Sequence, residues 1–205
     1  MKIFKSLVLA AALAGASFIG AAQAAPVTYT FSGQGSGTAN GAAFTGAFTF
    51  TLTGDTANVD LTDAPFFRMF NVGGTFTEGA FSATLDPTIT IVATADPIDR
   101  INFFNDTIDN GLGLQDGALA AYNLTTSIGP ITVSDLGFLT PTFNADGHGF
   151  ATSGGLVEIT ENTSLTFTAI VSDAAAVPEP ASLAIVGAGL LALGFFGRRK
   201  KRDTI

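Results

Sequence analysis

The sequence predicts an all-β body, an antiparallel β-sandwich or barrel-like sheet, with an N-terminal signal helix before it and one C-terminal transmembrane helix after it. Three observations carry this reading. Between the two ends, apolar residues, many of them Phe, alternate with Thr at a period of two. Gly, Asn, Asp and Pro interrupt these runs at short intervals, as turns do. No stretch of the body has the 3.6-residue period of an amphipathic helix, whereas each end of the chain carries an uncharged apolar run.

Residues 1–24 read as a secretory signal peptide. Lys2 and Lys5 form the positive start, Leu7 to Gly20 the apolar core, and Ala22-Gln23-Ala24 a small-residue cleavage site cut after Ala24. The exported domain then covers residues 25–172. Val27-Thr28-Tyr29-Thr30-Phe31 alternates, and so does the run from Phe44 to Thr53, with Phe44, Phe48, Phe50 and Leu52 on one face and threonines on the other. Gly54-Asp55 breaks that run before a third alternating stretch, Ala57 to Thr62, so a hairpin is expected to join the two. The Gly- and Ala-rich stretch from Gly33 to Gly46 reads as a flexible loop. Short strands are expected at Phe66–Asn71, Thr75–Thr77, Ala80–Leu85 and Thr88–Thr94, divided by turns at Gly73-Gly74 and Asp86-Pro87. Further strands are expected at Arg100–Phe104, Ala118–Leu124, Ile131–Val133, Gly137–Thr140, Leu156–Ile159 and Leu165–Val171. No internal repeat is present at solenoid periods.

Charge is distributed unevenly. Of 17 acidic residues, all but Glu179 and Asp203 lie within 25–177, whereas Arg68 and Arg100 are the only basic residues there. The body therefore carries a net charge near −13 and excludes nucleic acid and anionic lipid as partners. With no Cys in the chain, neither a disulfide nor a thiolate can staple the fold or ligate a metal, so stability must come from an apolar core. Of the chain's 19 Phe, the 15 within 25–177 supply it.

Residues 173–180 form a linker that ends in Pro178-Glu179-Pro180. Each proline fixes its own φ and holds the residue before it extended, which suits a protease groove. Residues 181–197 are uncharged, with Ser182 the only polar side chain; as a helix they span roughly 26 Å, enough for a short crossing of the bilayer. Arg198, Arg199, Lys200, Lys201 and Arg202 follow in the tail 198–205 and mark the cytoplasmic side. Both ends agree on one topology, body outside and tail inside.

The Pro-Glu-Pro triplet, apolar helix and terminal basic run, over residues 178 to about 202, resemble the PEP-CTERM sorting signal of exopolysaccharide-producing Gram-negative bacteria. The resemblance implies recognition by an exosortase, a transpeptidase-like membrane protease, with cleavage near Pro178–Pro180 and release outward. It also implies exopolysaccharide as a partner class and the inner membrane as a temporary anchor point. It says nothing of the body's fold.

Candidates for chemistry in the body are few. His148, the only histidine, sits in Asn144-Ala145-Asp146-Gly147-His148-Gly149, and no Gly-x-Ser-x-Gly accompanies it, so it reads as a turn residue and not as part of a hydrolase triad. Asp96, Asp99, Asp106, Asp109 and Asp116 place oxygen ligands in neighbouring loops, which suits calcium, although no EF-hand or nonapeptide spacing is present. Thr-x-Thr pairs suggest an ice-binding face, but their irregular spacing and the lack of a repeat count against one. Asn105, Asn123 and Asn162 head N-x-[ST] triplets. The expected function is that of an exported, non-enzymatic surface or matrix protein without a cofactor. A calcium- or polysaccharide-binding domain is the alternative, and an exported hydrolase follows it.

Overall fold

The computed structural model describes residues 24–85, 89–105, 110–134 and 149–172. Among the described residues eleven strands run in chain order: β1 Pro26–Ala39, β2 Ala42–Asp55, β3 Val59–Asp60, β4 Phe66–Glu78, β5 Phe81–Thr84, β6 Ile89–Thr94, β7 Arg100–Asn105, β8 Asn110–Gln115, β9 Ile128–Val133, β10 Phe150–Thr152 and β11 Gly155–Val171. All pairings are antiparallel, in the order β10-β11-β1-β2-β4-β6-β7-β8, with β3 and β5 also on β4 and β9 on β11. Among the described residues the only helical pieces are 3₁₀ turns at Thr56–Asn58 and Gly117–Leu119.

Strand β4 turns this single sheet into two packed layers. Its second half pairs with β2 and β5, its first half with β3 and β6. Between them the register slips at Met69/Val72, and Asn71 there adopts φ 54°. Such a bulge bends a strand and increases its twist. The layers nearly close into a barrel. Leu85, just after β5, bridges to Thr152 of β10, and the Ser153 N–H donates to the Thr84 carbonyl at 2.8 Å.

Between the layers lies a core of aromatic rings. Phe103 of β7 stands 4.8 Å from Phe31, 5.0 Å from Phe50 and 5.0 Å from Phe150, centroid to centroid. Tyr29, Phe76 and Phe167 extend the stack, all fully buried. The Tyr29 hydroxyl donates to the Leu124 carbonyl at 2.8 Å, tying the connection before β9 to the core. The Tyr122 hydroxyl is buried with no hydrogen-bond partner. Burial pushes both phenols above the usual tyrosine range, and for Tyr122 the neighbouring Tyr29 adds to the rise.

The β class holds; several local expectations do not. The hairpin between β2 and residues 57–62 does not form. The Asp55 carboxylate accepts the Ala57 N–H at 2.9 Å, and this cap starts a 3₁₀ turn that sends β3 along the edge of β4. The hairpin partner of β2 is β1, joined through Asn40 (φ 51°) and Gly41 (φ 76°), the left-handed pair of a type I′ turn. The stretch from Gly33 to Gly46 is accordingly strand and not loop. A Cβ on Gly33 would run into the Phe48 ring, so the glycine is what lets that ring lie flat across β1. Gly73-Gly74 lies inside β4, where Gly74 approaches the β2 backbone, and makes no turn. The segment 118–124 forms no strand: it begins in the 3₁₀ turn Gly117–Leu119, capped by Asp116, and β8 is a strand the periodicity did not mark. The expected strand at 137–140 lies outside the described residues.

Candidate functional site

The described chain enters and leaves the body side by side. Val27 of β1 pairs with Val171 of β11, and the Ser172 N–H donates to the Pro26 carbonyl at 2.9 Å. On the entry side Ala25 and Thr56 exchange two bonds, Thr56 N–H to the Ala25 carbonyl at 3.0 Å and Ala25 N–H to the Thr56 hydroxyl at 3.1 Å. On the exit side the Ser127 hydroxyl accepts the Val171 N–H at 2.8 Å. Ala25, the residue after the expected signal-peptide cut, and Ser172, the last described residue, are therefore both pinned, at one end of the body. Of the two residues expected at the signal-peptide cleavage site, Ala24 is exposed and Ala22 lies outside the described residues.

Residues 176–201 match the PEP-CTERM protein-sorting motif. The chain carries a PEP-CTERM sorting signal. Such a signal implies export and processing by an exosortase-type membrane enzyme. Comparison with curated proteins and with solved structures gives no match. The motif residues Pro178, Glu179 and Pro180, the expected span 181–197 and the basic run Arg198–Arg202 lie outside the described residues, as does the expected signal helix.

The acidic loops are only partly on view. Asp96 and Asp99 lie in the β6–β7 turn and Asp116 at the end of β8, and the backbone joins them: the Asp116 N–H donates to the Asp99 carbonyl at 3.0 Å, and the Asp96 N–H to the Ala120 carbonyl at 3.1 Å. The Asp116 carboxylate is already engaged, accepting the Ala118 N–H at 2.8 Å. Asp99 has φ 52°, and its Oδ1 is buried with no hydrogen-bond partner. Asp106 and Asp109 lie outside the described residues, as do Asp146 and His148. Among the described residues no three acidic or histidine side chains converge on one point. Elsewhere, Asp60 accepts from the Thr62 hydroxyl at 2.7 Å and its N–H at 2.9 Å, which holds its carboxyl below the usual range. That arrangement is an Asx turn at the surface.

The adjacency of entry and exit was not read from the sequence. Its signal is the matching alternation of 27–31 and 165–171, which suits a pair but does not select one.

Proposed function

We propose that this chain is a non-enzymatic surface or extracellular-matrix protein. In this reading the 181–197 span holds it briefly in the inner membrane with the body outside the cytoplasm. An exosortase-type enzyme cuts near Pro178–Pro180, and the body takes its place at the cell surface or among exopolysaccharide. The observation that carries the reading is the PEP-CTERM motif at 176–201. Its support from the body is geometric. Five residues separate Ser172 from Pro178, and the six steps between those two Cα atoms reach at most about 22 Å when extended. The strand end that leads toward that segment is itself tied down.

Intact mass of the protein from envelope and from medium of the native host tests this. A medium form that starts at Ala25 and ends near Val177–Pro180 is the expected result. An envelope form that ends at Ile205, with nothing in the medium, removes processing and leaves a membrane-anchored protein.

A calcium-binding role is the second reading, favoured by the backbone bond that brings the Asp99 and Asp116 loops together. Millimolar calcium is then expected to raise Tm, because a ligand of the folded state adds RT ln(1 + [L]/Kd) to stability. A Tm unchanged by calcium and by a chelator ends that reading.

A further inference from the structure

Pairing on the outer face of the β11, β1 and β2 layer aligns hydroxyls that look irregular along the sequence. On β1 the outward residues are Thr28, Thr30 and Ser32, alternating with buried Val27, Tyr29 and Phe31. Register places Thr166, Ser32 and Thr49 in one row across the three strands, Thr168, Thr30 and Thr51 in the next, and Ile170, Thr28 and Thr53 in the third. Eight of these nine positions carry a hydroxyl. The first row continues to Thr132 on β9, Thr77 on β4 and Ser82 on β5, and the second to Thr75 and Thr84. Neither ladder of β1 has a register shift between Val27 and Gly33, so the rows stay aligned.

Three properties separate this face from an ordinary solvated sheet. It has no charge at any of the nine positions, in a body whose net charge is near −13. None of the nine is buried. Its hydroxyls are also mostly uncommitted to one another: the Ser32–Thr49 pair at 3.2 Å and the Thr132–Thr166 pair at 2.8 Å are the side-chain bonds along the two hydroxyl rows among the described residues. Each remaining hydroxyl can donate one bond to water and accept two.

The spacing is fixed by the sheet. Neighbouring hydroxyls stand about 4.8 Å apart across strands and about 6.8 Å apart along them. Both repeats lie close to those of oxygen atoms on a prism face of hexagonal ice. A charged side chain would orient water about itself and break such a lattice; Thr offers a hydroxyl and a methyl at each point and does not. Twist of about 20–25° per strand pair turns distant strands out of plane. The match is therefore best over β11, β1 and β2, where the grid is free of bulges.

We propose that this face binds the surface of ice through an ordered layer of water. This goes beyond the surface-protein role and does not depend on processing. The test is inhibition of ice recrystallisation by the full chain in lipid nanodiscs, with empty nanodiscs as control. The full chain is expected to arrest grain growth. Thr51→Lys, which raises a long cation through the middle of the grid, is expected to abolish this, and so is Thr53→Lys at its more exposed margin. Thr126→Lys, the same exchange in an exposed bend off the grid, is expected to leave it intact, with Tm confirming that each variant folds. Grain growth at the empty-disc rate with the unaltered chain overturns the proposal. So does activity retained in folded Thr51→Lys or Thr53→Lys, or binding to an insoluble polysaccharide in place of ice.

Discussion

Phe103→Ala is expected to destabilise the body by about 3–5 kcal/mol, the usual cost of removing a buried Phe and leaving a cavity. Phe103 is the ring through which one layer reaches the other, meeting Phe31, Phe50 and Phe150 within 5.0 Å. Its loss removes the transfer free energy of the side chain and three ring contacts, each worth about 0.5–1.5 kcal/mol beyond area. Typical domains have only about 5–15 kcal/mol in total, so the variant should lie near the edge of folding. The urea midpoint measures it. Phe70→Ala is the comparison, because Phe70 is 52% exposed and should change stability by no more than about 0.5 kcal/mol. Equal midpoints for the two variants would show that the layers do not close on Phe103.

The second large effect is alkaline unfolding. Tyr29 and Tyr122 are the only tyrosines, and both are buried with raised pKa values. In the unfolded chain a tyrosine loses its proton near pH 10. Below that pH both states keep both protons, and the stability held by the neutral phenols is fully present. Above it the unfolded state releases protons that the folded state retains, so stability falls as pH rises. Each unit above pH 10 costs about 1.4 kcal/mol per tyrosine, or about 2.7 kcal/mol for the pair. Tyrosinate absorbance near 295 nm should therefore appear in one cooperative step, together with loss of β-sheet circular dichroism. Two separate titrations near pH 10 with the sheet intact would contradict the buried positions. At neutral pH, Tyr29→Phe should cost about 1 kcal/mol by orphaning the Leu124 carbonyl, whereas Tyr122→Phe should be neutral or stabilising, because its hydroxyl has no partner to lose.

The sequence expressed which residues face inward better than which strands are neighbours. Phe48, Phe50 and Leu52 alternate because they line a core, and that pattern is local. Pairing is not local. Asn40-Gly41 makes the β1–β2 turn, yet the glycines around it read as loop, since their purpose appears only when the Phe48 ring crosses Gly33. Gly73-Gly74 misled for the same reason: it serves close approach of β4 to β2, and nothing in its own neighbourhood says so. The threonine rows failed as a repeat in sequence because each strand contributes a different stretch of chain. Only register lines up Thr168, Thr30 and Thr51. The sorting signal is the opposite case, its triplet, apolar run and basic run all contiguous, and it was fully legible. Asp96, Asp99 and Asp116 fall between the two: the sequence placed them in loops, and backbone bonds at 3.0 and 3.1 Å tie those loops together, but Asp116 turns out to cap a turn.

The position of β11 has a mechanical consequence. This strand leads directly to the linker, so a pull on the body from its C-terminal side is applied along the strand axis. Ladder hydrogen bonds run across that axis, and from Val27↔Val171 to Ala39↔Val157 those between β11 and β1 would bear the load together instead of parting one after another. Strands β9 and β10 hold the other edge in the same way. In an atomic-force experiment with one handle at Ser172 and the other at Asn40, at the far end of β1, the body should yield in a single high-force event. Handles at Ala25 and Ser172 would instead peel the pair apart from its end, at much lower force.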